Sequence, residues 1–102
     1  MFKNDRYITC GVADRLPEEL QQAIWLAIDL AIRVIDKVDY LQVFTFEKLG
    51  EEVLVIKQKQ EQPKRETIHY SDYKKEYDTI LNEKIFVIDD GDHSTMLFSY
   101  EY

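Results

Sequence analysis

Cysteine is almost missing from this chain of 102 residues: Cys10 is the only one. No internal disulfide can form, and a lone thiol fits a reducing compartment. Glycine is nearly as scarce, with three residues at positions 11, 50 and 91. That excludes the glycine-rich loops that cradle phosphates. The two histidines, His69 and His93, stand far from each other and from Cys10, so the paired spacing of a zinc site is absent. No Gly-x-Ser-x-Gly elbow occurs. No apolar run approaches the roughly 20 residues needed to span a bilayer. The opening Met1 to Arg6 lacks the apolar core of a signal peptide, so a cytoplasmic location is expected. Positive charge is also in short supply. Thirteen Lys and Arg face twenty Asp and Glu, for a formal charge of −7. This disfavours direct nucleic-acid binding and favours attraction to basic partners.

What is present is a chain that is 45% hydrophobic and holds seven tyrosines, enough for one globular domain over residues 1–102. Tyr7 to Val12 give a strand signal over residues 5–13, with Gly11 as a bulge or bend. Pro17 marks a helix start, Glu18 and Glu19 suit its first turn, and the helix is predicted to run to about Lys37. Its apolar residues fill most of the circumference. Only Gln22, Asp29, Arg33 and Asp36 form a polar stripe, with Asp29 and Arg33 spaced to pair. Such a helix is expected to be covered on more than one side, by a sheet, a loop or another subunit. Residues 40–46 and 53–57 read as a hairpin across the turn at 49–52, and the apolar run from Val53 suggests cover on both faces. Lys57 to Glu61 read as a projecting or edge segment. Residues 63–83 are the least periodic and suggest one helical turn, capped by Ser71, or irregular structure over 71–76, then a short strand. Ile85 to Ile88 are apolar on both faces, as in a central strand. The tip Asp90-Gly91 suits a type I′ turn. The expected fold is α+β: one long central helix packed on a mainly antiparallel sheet of four to five strands.

The closing turn, Asp89-Asp90-Gly91-Asp92-His93, gathers three carboxylates and a histidine in five residues. It reads as a solvated turn, a metal site or a knob that touches a partner. Its spacing is not that of a calcium loop, and alternate strand residues point to opposite faces, so the carboxylates do not easily converge. His93 and Ser94 are neighbours on one strand and point apart, unlike a nucleophile and its base. Cys10 reads as a small buried hydrophobe. The basic residues Lys57, Lys59, Lys64 and Arg65 read as a solvated strand end or loop, without the aromatic spacing of a single-strand-binding platform. No catalytic residue, metal or cofactor is assigned.

Further residues carry a resemblance. Arg6-Tyr7, Thr9, Gly11-Val12-Ala13, Leu16-Pro17, Glu19-Leu20-Gln21, Trp25 and Ile28-Asp29 are similar to the start of a family of short uncharacterised proteins of Gram-positive bacteria, domain of unknown function 960. The similarity continues through Asp39 to Phe44, Gln60-Glu61, Pro63 and Lys84 to Gly91, ending at Glu101-Tyr102. It departs over Lys64 to Glu83, a segment longer and more charged than the family pattern. The resemblance brings no catalytic residues. It implies a small protein of the kind carried on chromosomes, plasmids and phages, a class that includes anti-CRISPR inhibitors. The first functional expectation is therefore a non-enzymatic acidic inhibitor of a basic nucleic-acid-handling protein, such as a Cas9-type nuclease. Its candidate contacts are Asp89, Asp90, Asp92, His93, Glu51, Glu52, Asp72, Glu76 and Asp78. The alternatives are a cytosolic homodimeric binding or scaffold protein, joined through the helix or a tyrosine-rich surface, and a metal-dependent enzyme using Asp89 to His93.

Overall fold

A computed structural model describes residues 1–102. The elements in order are β1 (Asp5–Ile8), α1 (Cys10–Arg15), α2 (Glu18–Val34), β2 (Leu41–Leu49), β3 (Val53–Glu61), β4 (Lys64–Asp72), β5 (Lys84–Asp89) and β6 (His93–Phe98). Single 3-10 segments follow β4, at Lys75–Ile80, and β6, at Ser99–Glu101. All six strands join one open sheet in the order β1-β6-β5-β2-β3-β4. Every neighbouring pair is antiparallel except β1 with β6. The α+β class and the mainly antiparallel sheet are as the sequence predicts, and β5 is internal. The strand count is six rather than four to five.

Three segments differ from expectation for identifiable reasons. The strand predicted over 5–13 stops at Ile8, because Thr9 caps a helix: its Oγ1 accepts from the Val12 amide at 3.2 Å. Gly11 therefore lies in α1, not in a bulge, and it is bare because the Glu101 carboxylate packs there. A Cβ at position 11 would sit 2.6 Å from Glu101 Oε2. The second difference is β4, predicted as irregular structure or a helical turn. Lys64 to Asp72 show no apolar alternation, yet they pair with β3 in unbroken register from Glu61↔Lys64 to Val53↔Asp72. The charged end of β3 is thus held between β2 and β4 and is not an edge. No strand forms at 78–81, where the chain turns in a 3-10 segment that buries Tyr77 and Ile80.

The third difference is α2, which begins at Pro17 as expected but ends at Val34. Leu20, Ile24, Ala27, Ile28 and Ala31 are buried. Ile24 and Ile28 join Phe44, Phe46, Leu54, Ile56, Ile85, Val87, Met96 and Phe98 in the core. The opposite ridge is open: Leu26, Leu30 and Val34 are 59%, 43% and 70% exposed. The helix is a single outer layer on one side of the sheet and not a central element covered on several sides. Asp29 pairs with Arg6 rather than Arg33, at 2.5 Å, and Arg6 lies over Trp25 at 4.8 Å. No helix of the chain is long and apolar enough to cross a membrane.

Past the last turn of α2, the same face of the sheet turns polar. Gln42, Gln58, Gln60 and Asp39 are buried there. Gln58 Nε2 donates to Gln42 Oε1 (3.0 Å), and Gln42 Nε2 donates to Gln60 Oε1 (2.9 Å). Asp39 Oδ2 accepts the Glu61 and Gln62 amides at 3.2 and 3.0 Å, which fixes the β3–β4 turn. No buried side-chain nitrogen or oxygen is left without a partner.

Ile28→Ala is expected to cost about 2–5 kcal/mol in urea unfolding, because the site lies between helix and sheet. Leu26→Ser, on the open ridge, is expected to change stability by no more than about 0.5 kcal/mol. Equal losses would place the core elsewhere.

Candidate protein-interaction site

The acidic turn is built for structure over most of its length. Asp89, at the end of β5, is buried. It accepts the Phe2 amide at 2.7 Å, Asn4 Nδ2 at 3.0 Å and the Gly91 amide at 2.8 Å. Asn4 in turn takes the hydroxyl of buried Ser94 at 2.6 Å. Asp89 and Ser94 thus fasten the N-terminal segment across the β5–β6 hairpin and help seat Phe2 in the core. Asp90 accepts the Asp92 and His93 amides, both at 3.0 Å, and lies 3.2 Å from His93 Nε2. Among the three carboxylates, only Asp92 accepts no hydrogen bond. The Asp90 amide donates to the His93 carbonyl, and Gly91 alone has positive φ, at 102°. The tip residues are therefore Gly91-Asp92, the glycine-first pattern of a type II′ turn rather than the predicted type I′. No three metal-ligating side chains converge anywhere in the chain. Cys10, expected to be buried, is exposed at the start of α1.

The remaining acidic candidates fall at the other end of the sheet. Leu41 pairs with Ile88 and Thr45 with Lys84, so the β5–β6 tip and the β2–β3 turn point in opposite directions. Glu51 and Glu52 form that turn, Asp72 pairs opposite Val53, and the Glu52 carbonyl accepts the Tyr73 amide. Tyr73 donates its hydroxyl to Asp78, and Tyr77 donates to Glu19 at 2.8 Å. The two rings meet edge to face at 6.2 Å. Hydrogen bonding to Asp78 raises the Tyr73 hydroxyl to about 12, and burial, then Glu19, push Tyr77 up as well. Both tyrosines stay neutral donors that order the carboxylates around them. The structure brings together Glu51, Glu52, Asp72, Glu76 and Asp78 near this end, and it separates them from Asp90, Asp92 and His93.

The largest feature that the sequence reading missed is the second face of the sheet. Leu41, Val43, Phe86 and Ile88 alternate with core residues and point away from α2. None of them belongs to the packed core. The continuous apolar runs of β3 and β5 were the available signal, but they indicate apolar faces and not what covers them. On this face Val55 and Leu97 are buried, at 7% and 8% exposure, so the run from Val53 is covered on both sides, whereas Leu41, Val43, Phe86 and Ile88 are half-buried. On the open side, Tyr102 touches Phe86 edge to face at 5.9 Å, and Tyr7 meets His93 at 5.1 Å. A groove of ≈ 790 Å³ crosses this face with Leu41, Val43 and Phe86 in its lining.

The family model described as "Staphylococcal protein of unknown function (DUF960)" matches residues 5–101. The chain belongs to this family. A solved structure, described as "Crystal structure of the protein of unknown function from Enterococcus faecalis", is similar to this DUF960 chain at 28% identity. The match covers 97% of this chain and 91% of that one, with a TM-score of 0.81. No curated protein matches.

The Asp89 carboxylate carries a pH-dependent prediction. Burial opposes its ionisation, but the amides of Phe2 and Gly91 and the Asn4 side chain outweigh that and hold it below the usual value. A carboxylate depressed in the folded state stabilises fully above its unfolded value of about 3.9. That contribution is lost as pH falls through the lower folded value. Asp89→Asn is expected to cost about 1–3 kcal/mol at neutral pH and less in acid. Urea unfolding at neutral and acid pH checks this, and a pH-independent cost would refute it.

Proposed function

We propose that this DUF960 chain is a non-enzymatic binding protein that docks another protein on the uncovered face of its sheet. The observation that supports this reading is the group Leu41, Val43, Phe86 and Ile88, which lies together, half-buried and outside the core, on a face that no α-helix covers. Apolar patches of this kind mark interaction sites in soluble proteins. The molecule extends 37 × 28 Å in its two long directions, and a specific interface needs about 800 Å² from each partner. A different protein fits the charge better than a second copy, because two copies face to face would oppose two chains of −7.

The test places a photo-crosslinking residue at Phe86 and, separately, at Leu26 in the native host. A discrete adduct with a different protein, from Phe86 only, is expected. That protein, once purified, is expected to bind about tenfold more weakly to Val43→Lys. A self-adduct, or the same adduct from Leu26, would overturn the reading.

A second reading places a basic, nucleic-acid-handling partner against the other end of the sheet, with Glu51, Glu52, Asp72, Glu76 and Asp78 as contacts. This is the anti-CRISPR role, with carboxylates occupying a groove meant for phosphates on a Cas9-type nuclease. The support for it is that these five acids share one end of the molecule. Asp89 drops out as a contact because its oxygens are engaged internally. Salt-sensitive binding to such a nuclease, free or guide-loaded, is expected, with about tenfold weakening by Glu76→Lys plus Asp78→Lys. If no binding occurs at low salt, this reading is wrong and the docking face is unaffected.

A further inference from the structure

The sheet has two free edges, and they are unequal. β1 offers four residues, whereas β4 offers nine, Lys64 to Asp72, and no other segment pairs with their outer side. Long edges are normally blunted by proline, a bulge or charge. β4 contains no proline, and its pairing with β3 is unbroken. Charge is the one device present, and it is balanced, with Lys64 and Arg65 against Glu66 and Asp72. In a chain with a formal charge of −7, this edge therefore carries no net charge. Neither Lys64 nor Asp72 forms an ion pair within the chain. Between them, Ile68 and Tyr70 are 45% and 68% exposed. The register with β3 sets Lys64, Glu66, Ile68, Tyr70 and Asp72 on the face away from α2, and Arg65, Thr67 and His69 on the helix side.

We infer that β4 pairs antiparallel with β4 of a second copy, about a two-fold axis at Ile68, and so joins two six-stranded sheets into one. The order of residues selects this register. Directly opposed residues must point to the same face, so the strands can slip only in steps that keep the faces matched. Centred on Ile68, all nine residues pair. Lys64 then meets Asp72 of the second copy at each end, Glu66 meets Tyr70, Arg65 meets Ser71, and Ile68 meets Ile68. Centred on His69, Glu66 would meet Asp72, a like-charge pair that opposes association. Centred on Thr67, Lys64 would meet Tyr70 and Glu66 would meet Ile68, and no opposite charges would be matched. Lys64 also stands across from Glu61 of its own chain, so in the centred register it lies between two carboxylates. Glu66 keeps its pairing with Lys59 at 3.4 Å. The charges that blunt this edge towards other registers thus permit one. The contact uses the same patch on both copies, so it closes at two. It goes beyond the docking reading and is independent of it. β2 and β3 separate Phe86 from β4, and copies joined edge to edge do not bring their open faces together. A strand of nine residues is about 30 Å long, which keeps the contact below the roughly 1,200 Å² of a standard interface and makes the dimer reversible.

Sedimentation equilibrium of the full chain is expected to show monomer near about 1 µM and mostly dimer near about 1 mM. Ile68→Lys sets two cations against each other on the axis. It is expected to weaken dimerisation about tenfold or more while the urea midpoint of the dilute protein stays unchanged. Lys64→Glu and Asp72→Lys are each expected to weaken it about tenfold when alone. An equimolar mixture of these two variants is expected to regain the parent's strength, because each chain then meets its opposite charge. The register is read by crosslinking in a Cys10→Ser background. Ile68→Cys is expected to give a disulfide-linked dimer on oxidation, and Glu66→Cys to crosslink only when mixed with Tyr70→Cys. The inference is overturned by a monomer at the top of the concentration range, by a dimer that Ile68→Lys leaves intact, or by no recovery in the mixture. Self-crosslinking of Glu66→Cys, or growth beyond the dimer, overturns it equally. None of these outcomes touches the docking face. A dimer that instead shifts the resonances of Val43 and Phe86 overturns both readings.

Discussion

Everything in this fold follows from the contact between one helix and one side of a wide sheet. A 17-residue helix is about 26 Å long and 10–12 Å across with side chains. Six strands spaced about 4.8 Å apart make a sheet roughly 24 Å wide between its outer strands. The helix can bury Ile24 and Ile28 against the middle strands, but it cannot cover the sheet to both edges. Small pieces complete that side: α1 with Val12 and Leu16, the 3-10 segment with Tyr77 and Ile80, and Phe2, held by Asp89. Arg15 ties α1 to the 3-10 segment by donating to the Thr79 carbonyl at 3.3 Å. It donates to Glu83 at 2.7 Å and the Tyr100 hydroxyl at 2.8 Å, and it lies over Phe98 at 4.9 Å. Both helices and the first 3-10 segment are then used, and the chain end, with Tyr102 against Phe86, reaches the other side.

The same constraint explains the buried glutamines. Where the helix ends, the inward positions of β2 and β3 have no apolar cover, and Gln42, Gln58 and Gln60 occupy them. Buried amides are costly only when their hydrogen bonds are unmade, and here each finds a partner. His69 closes the row on β4, 2.9 Å from Gln58 Oε1, with its basicity lowered by burial. A neutral His69 can still donate to that oxygen. The network holds β4 in register even though β4 contributes almost nothing to the core. That is why a strand of mostly exposed polar residues forms at the edge of the sheet, and why the groove on the far side has a rigid wall.

Much of this architecture was legible in the residues. The strands with strong apolar or aromatic content, β2, β3, β5 and β6, are all predicted, and so is the helix start at Pro17. The two edge strands are not, or only partly. β4 has no hydrophobic period, and its existence depends on pairing with β3 and on a polar network assembled from four separated positions. β1 is cut short by a side-chain cap at Thr9 that competes with strand pairing. For the site, the residue types were visible but their directions were not. Asp89, Asp90 and Asp92 are adjacent in sequence and have three different roles: buried clamp, turn cap and free carboxylate. Lys59, Lys64 and Lys84 are scattered along the chain and line one groove only because β4 and β5 flank β2 and β3. The apolar runs showed that the second face of the sheet was greasy, but periodicity cannot show whether anything lies on it.

The charge pattern ties the architecture to the functional reading. Antiparallel strands send alternate turns to opposite ends of a sheet, so each end carries the charges of its own turns. The β2–β3 turn and the segment after β4 collect Glu51, Glu52, Asp72, Glu76 and Asp78, whereas the β3–β4 turn collects Lys64 and Arg65. The β5–β6 tip, with Asp90 and Asp92, lies at the same end as the β3–β4 turn, so that end mixes both signs while the other gathers acids. Apolar area on the open face can supply affinity for many proteins, but it has no direction of its own. Charges fixed at the rim give direction, because a partner docked the wrong way round would set like charges against each other. On the docking reading proposed above, the open face and the charges fixed at its rim would form one oriented binding surface that needs no catalytic group.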